Sequence, residues 1–289
     1  MTPWIVLALV VLVTTYVALT AWGAHRWSAT TRGLGRQLRA ARALPRTRSI
    51  GPSGYDPCDI EGLPAPVQRY FRTVLRAGQP IVSAVTLDMT GRFNLSSTGE
   101  RWSAFTARQK VCTRRPGFLW DAQMSLLPGL SVQVVDSFIA GQGWLHAAVL
   151  GLFTVADQRG SGRIAGDEFM RYFAEAAWYP TALLPSQGVR WKAVDDNSAQ
   201  ASITDGPITL SLLFTFNAEG LIESASAEAR GAAVGGTVVM LPWEGRWSNY
   251  RRCNGMLLPL KGEAAWLGPT GRRPYFIGNV TSLACEFER

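Results

Sequence analysis

Histidine, clustered cysteine and the short signatures of catalysis are what this chain has least of. Of its two His, His25 borders a long apolar segment and His146 lies in an apolar run, a setting typical of a satisfied core histidine and not of a base. The four Cys (Cys58, Cys112, Cys253, Cys285) are dispersed with no C-x-x-C, a pattern without zinc or dithiol character that fits buried thiols. No G-x-S-x-G, H-E-x-x-H, G-x-x-x-x-G-K-[ST] or nicotinamide fingerprint occurs; "GQGWLH" (141–146) lacks a third glycine and "GSGRIAG" (160–166) has the wrong spacing. No metal and no cofactor is therefore expected, and no catalytic residue is assigned. Acids are missing from residues 1–55, which hold Arg26, Arg32, Arg36, Arg39, Arg42, Arg46 and Arg48 and so carry seven of the eight net positive charges. A nucleic-acid binder would spread basicity over its folded domain, so no nucleic acid is expected as a partner.

What the first segment does contain is length and apolarity. Residues 3–22, "PWIVLALVVLVTTYVALTAW", are uncharged, with Trp4 and Trp22 at the ends. At about 1.5 Å per residue such a helix spans about 30 Å, the thickness of a bilayer core, and its terminal tryptophans suit the interfaces. A cleaved signal peptide is the alternative; the lack of a basic n-region, the long apolar run and the missing A-x-A site argue against it. The arginines directly after the span place the main domain in the cytoplasm by the positive-inside rule. The segment 32–46, "RGLGRQLRAARALPR", is either a helix lying on anionic headgroups through Arg32, Arg36, Arg39 and Arg42 or a solvated basic linker. The chain divides into an anchor (1–27), a basic juxtamembrane segment and Gly/Pro-rich linker (28–62) and a main domain (63–289).

"LPAPVQRYFRTVL" (63–75) reads as a short amphipathic helix opened by prolines. From 81 onward, runs of β-formers are bounded by Gly, Pro, Asn and Asp: 81–95, 101–113, 117–126, 130–139, 188–194, 198–204, 207–216, 221–230, 236–240, 246–252, 256–266 and 275–287. Residues 144–153 read as an apolar helical turn. Short connections, including Glu219-Gly220 and Asn254-Gly255, make antiparallel neighbours. The expected fold class is α+β: after a single N-terminal transmembrane helix, one large curved, mostly antiparallel sheet, half-barrel or barrel-like, covered by a few helices.

Within "DEFMRYFAEAAWYPTALLP" (167–185), a helix over 167–179 gathers Glu168, Arg171, Tyr172, Glu175 and Tyr179 into one polar stripe on an otherwise apolar cylinder. Asp167 is placed to offset the dipole at its start, and Pro180 ends it. The stripe is either a set of intrahelical ion pairs at a wet edge, worth about 0.2–0.5 kcal/mol each, or the polar lining of a cleft. "LPWEGRWSNY" (241–250) sets Trp243, Glu244 and Arg246 around a bend-permitting glycine, a group equally suited to stacking on a ligand or to a structural ion pair. In "PGFLWDAQM" (116–124), alternation puts Trp120 and Asp121 on opposite sheet faces.

The blocks "LPAPVQRYF", "PGFLWDA", "GDEFMRYFAEAAWYPTALLP", "VRWKAVDD", "PWEGRW" and "GEAAWLGPTGRRPY" together resemble a bacterial family of uncharacterised proteins, a domain of unknown function, over about 63–287. The resemblance implies no activity; it implies a fold similar to the half-open antiparallel barrels of lipoprotein carriers and lipid-binding lipoproteins. The preferred expectation is a membrane-anchored, non-catalytic module binding an apolar or lipid-like ligand, with Glu168, Arg171, Tyr172, Glu175, Tyr179, Trp243, Glu244 and Arg246 as polar contacts. The alternatives are a carboxylate-dependent hydrolase using Glu168 or Glu175 with Glu244, and a membrane-tethered scaffold for another protein.

Overall fold

Period-two burial sets the architecture. In β2 (Trp102–Cys112), Ser103, Phe105, Ala107, Gln109 and Val111 are buried while Ala104, Thr106, Arg108 and Lys110 between them are exposed, the pattern of a strand with one face in a core. The computed structural model describes residues 3–43, 54–96, 99–234 and 237–288. Arg46, Arg48 and the part of the expected linker before residue 54 lie outside them, as does residue 236 of an expected strand.

Among the described residues thirteen strands form one antiparallel sheet: β1 (Val82–Asn94), β2, β3 (Gly117–Leu127), β4 (Leu130–Ile139), β5 (Gln142–Val149), β6 (Phe153–Gly160), β7 (Arg190–Asp195), β8 (Ser198–Asp205), β9 (Ile208–Phe216), β10 (Ile222–Val234), β11 (Thr237–Cys253), β12 (Met256–Gly268) and β13 (Gly271–Phe287). The order is β6-β5-β4-β3-β2-β1-β13-β12-β11-β10-β9-β8-β7. Two meanders thus meet where β1 pairs with β13, and β6 and β7 remain as edges, so the barrel is unclosed. Because the strands are joined by short turns, the β1–β2, β3–β4, β5–β6, β10–β11 and β12–β13 turns all fall at one end of the sheet.

Helix α3 (Arg163–Ala174) follows β6, and 3-10 turns at Glu175–Trp178, Pro180–Leu183 and Pro185–Gln187 lead to β7. This segment lies on the concave face, where Phe169, Phe173, Ala177 and Leu183 are fully buried with Phe138 and Phe214. Helix α2 (Ala65–Val74) adds Val67, Tyr70, Phe71 and Val74 to the same core. The stretch after residue 54 is also fastened: Gly54 bridges Pro80, Asp56 caps a 3-10 turn at Pro57–Ile60, and Ile60 is fully buried.

The opposite, convex face carries α1 (Pro3–Ala43), one uninterrupted helix of 41 residues, over β2–β5. Its apolar first half is long enough to cross a membrane and touches little of the domain. Its second half packs Trp27, Leu34, Leu38 and Ala41 on Cys112, Leu119, Val135, Ile139 and Ala148. At roughly 1.5–3 kcal/mol per fully buried large apolar side chain, this contact fixes the helix to the sheet. The leucines that would lay 32–42 on headgroups are therefore committed to the domain, and Arg42 pairs with Glu286 at 2.5 Å and with Ser83 at 2.8 Å.

Three sequence expectations change. The apolar turn expected at 144–153 is β5 and the start of β6: covered by α1 on one side and α3 on the other, β5 lacks the alternation that marks a one-sided strand. The strands expected at 236–240 and 246–252 are one strand, β11. Helix α3 begins at Arg163, one turn early, so Asp167 does not precede the helix; it pairs with Arg163 at 2.6 Å and accepts the Gly231 N–H at 3.0 Å, tying α3 to β10.

Candidate functional site

The polar stripe of α3 points into the sheet. Gln109, Trp120 and Asp136 are direct cross-strand neighbours on β2, β3 and β4. Glu168, Arg171 and Glu175, at i, i+3 and i+7, lie over this row. Arg171 donates to Glu175 at 2.8 Å, to Asp136 at 2.5 Å and to Gln109 at 3.2 Å. Gln109 closes the ring by donating to Glu175 at 2.6 Å. The guanidinium also stands 5.0 Å from the ring centres of both Phe118 and Trp120, where a cation is attracted to the ring faces.

Electrostatics follow from burial. Desolvation alone would lower the Arg171 pKa; Glu175, Asp136 and Glu168 outweigh it and hold the guanidinium charged. Glu168 goes the other way, since burial and then the charge of Asp136 push its carboxyl well above the usual range. Glu168 Oε2 and Asp136 Oδ1 are buried with no hydrogen-bond partner among the described residues, and the charge of Asp136 acts on Glu168. A proton on Glu168 lets it donate to Asp136 and satisfies both atoms, whereas two bare carboxylates would repel.

The other expected residues divide. Tyr172 and Tyr179 are core groups: both rings are buried, and the Tyr179 hydroxyl donates to the Tyr172 carbonyl at 2.5 Å. Trp243 faces the interior, stacked under Arg230 at 5.0 Å. Glu244 and Arg246 point to the convex side, where Glu244 accepts from Arg246 at 2.8 Å and from Arg272 at 2.7 Å. The structure therefore joins Glu168, Arg171 and Glu175, and separates them from Glu244 by the thickness of the sheet. A hydrolase pairing Glu244 with an α3 acid has no geometry here. Trp120 and Asp121 do face opposite ways, with Asp121 accepting from Trp27 of α1 at 2.9 Å.

Sequence reasoning missed Gln109, Asp136, Arg230 and Tyr275, each a polar group at an inward position of a strand. It also missed an aromatic cluster on the concave face towards the end of the sheet that holds the β1–β2 and β12–β13 turns. Phe93 and Phe276 are paired in register, Phe276 stacks on Phe105 at 5.3 Å, and Tyr275 packs on Phe93 at 5.6 Å and on Trp266 at 5.2 Å. Phe93, Trp266, Tyr275 and Phe276 are only half-buried. Glycines at 91 and 278 leave room for these rings; a Cβ on Gly91 would stand 2.8 Å from the Phe105 ring. Tyr275 accepts from Trp243 at 2.8 Å and from Arg230 at 3.3 Å.

On the convex side two open grooves flank α1. One, of about 370 Å³, runs between Leu34, Ala41, Ile139 and Trp144; the other, of about 220 Å³, is edged by Arg32, Arg36, Arg39, Arg108 and Lys110. Neither communicates with the α3 network on the other face. Among the described residues no group of His, Cys, Asp and Glu is arranged to hold a metal ion, and the four cysteines are free.

Solved structures similar to this chain include a LolA superfamily protein from Nitrosomonas europaea, at 10% identity and a TM-score of 0.39 over 77% of this chain and 94% of that one. A beta-barrel-like protein of the domain of unknown function DUF1849 from Brucella abortus matches at 11% identity and a TM-score of 0.22, over 71% of this chain and 98% of that one. No curated protein matches the sequence. Residues 61–284 match the family of unknown function DUF6920, nearly the whole chain beyond α1, and the protein belongs to that family.

Proposed function

We propose that this is a single-pass membrane protein whose half-barrel binds an apolar or lipid-like ligand without chemical conversion, at the concave mouth formed by Phe93, Trp266, Tyr275 and Phe276. The observation that carries the reading is the half-buried state of these four rings, at the sheet end whose β3–β4 and β5–β6 turns meet the apolar half of α1. Rings left partly open beside a packed core are a ready surface for an acyl chain or a flat apolar molecule. Tyr275 supplies a polar handle: with Trp243 and Arg230 donating to its oxygen, its O–H is the group left to donate to a ligand. Glu168, Arg171 and Glu175 serve this site indirectly, by fixing α3 against β2–β4 beneath it. Trp243 contributes through Tyr275, and Glu244 and Arg246 stand outside it.

The apolar half of α1 supplies the anchor, and the arginines that follow it favour a cytoplasmic domain. Lipid extraction and native mass spectrometry of the full chain test the reading. A co-purifying apolar ligand that is lost in Trp266→Ala/Phe276→Ala supports it. A chain that carries no such ligand and fails to take up a fluorescent fatty acid contradicts it. A reporter fused after residue 289 reads the compartment.

A further inference from the structure

We infer that the folded domain docks on the bilayer, with the β3–β4 turn (127–130) and the β5–β6 turn (150–152) entering the same leaflet as α1. The inference rests on α1 being a membrane span.

Tyr16 lies inside the apolar segment, six residues before Trp22, and so about 9 Å deeper at about 1.5 Å per residue. Its hydroxyl donates to the carbonyl of Gly129, at the tip of the β3–β4 turn. Two turns later, α1 crosses the β5–β6 turn in backbone contact: a Cβ on Gly23 would stand 1.9 Å from the Leu150 carbonyl oxygen. An α1 seated in a membrane through residue 22 therefore brings the β5–β6 turn to the interface and the β3–β4 turn below it, within the depth of about 5–10 Å used by interfacial apolar groups.

The composition of these turns matches that depth. Residues 122–135 carry no charge, and 144–156 carry none besides His146. Leu127 is 64% exposed, Phe153 58% and Val155 61%, though each is apolar. At the opposite end of the sheet the β2–β3 turn carries Arg114 and Arg115 instead. The backbone is prepared as well. In the β5–β6 turn the Leu150 N–H donates to Ser131 at 2.9 Å, the Gly151 N–H to Ala148 at 3.3 Å and the Leu152 N–H to Val149 at 3.0 Å. Tyr16 satisfies the Gly129 carbonyl. Internal satisfaction of backbone polar groups is what the edge of a hydrocarbon layer demands. Two separate turns with exposed apolar side chains and satisfied backbones, both held to the same helix, fit a lipid surface.

An environment-sensitive fluorescent amino acid placed singly at positions 10, 127, 153 and 142 of the full chain tests this in vesicles of phosphatidylcholine and phosphatidylglycerol containing nitroxide-labelled lipid. Docking predicts several-fold stronger quenching at 10, 127 and 153 than at 142, which lies at the opposite end of the sheet. Quenching at 10 with 127 and 153 no different from 142 overturns the docking and leaves the anchor standing, and the apolar turns then belong to a protein contact. No quenching at 10 removes the span and the docking together.

Discussion

Arg171 on α3 and Asp136 on β4 are joined by a 2.5 Å ion pair in which both side chains are almost fully buried. Thirty-five positions apart in sequence, they fasten the helix that fills the half-barrel to the sheet that forms it. Such a pair makes little net contribution against an apolar substitute, but its loss on one side only is costly.

Arg171→Met is therefore predicted to destabilise the full chain by about 3–5 kcal/mol, because Asp136 and Glu175 stay buried without their partner. Adding Asp136→Asn and Glu175→Gln to the same chain recovers part of that loss. Denaturant unfolding in detergent micelles measures both; equal stability of the single and triple variants would show that the charges are not coupled.

Glu168 sets a pH dependence. Its folded-state pKa lies above its ordinary value of 4.5, chiefly through burial and then through Asp136. Folding thus favours the protonated form. That contribution is fully present below the ordinary value and is lost as pH rises through the folded one. The unfolding midpoint is predicted to fall as pH rises above the ordinary carboxylate value, and Glu168→Gln, which keeps a donor for Asp136, flattens that fall. An identical slope in the variant assigns the effect elsewhere.

Gly23 permits the crossing of α1 over the β5–β6 turn. Gly23→Val is predicted to cost about 1–3 kcal/mol, since a side chain must displace the Leu150 backbone and the Leu152 side chain. Amide exchange at residues 149–153 reads it directly: faster exchange in the variant is expected, and unchanged protection contradicts the close contact.

Much of this architecture is written in local pattern. The one-sided alternation of β2 and the Asn254-Gly255 turn announce strands and hairpins, and the uncharged run 3–22 announces the apolar half of α1. What stayed hidden depends on partners far along the chain. β5 lacks alternation because α1, through Trp27, and α3 pack on its two faces. The stripe of α3 offered no direction by itself; Gln109 and Asp136, on other strands, draw it inward. Glu244 could be matched with α3 acids on paper because a list of carboxylates carries no sheet face. The aromatic mouth escaped notice because Phe93 and Phe276, 183 positions apart, become neighbours only where β1 pairs with β13.

Tyr275 is predicted to orient the ligand more than to hold it. Tyr275→Phe keeps the ring stacks with Phe93 and Trp266 and removes the hydroxyl, so affinity for a lipid bearing a polar headgroup falls about tenfold, equivalent to about 1.4 kcal/mol. A purely apolar probe is unaffected. Equal losses for the two ligands contradict that role.

Photo-crosslinking in native-like vesicles tests the mouth itself most directly. A lipid carrying a photoactivatable group in its acyl chain is predicted to attach to the peptides containing Phe93, Trp266 and Phe276, with attachment abolished by Trp266→Ala/Phe276→Ala. Attachment confined to α1, or unchanged in that double variant, would contradict a ligand site on the concave face.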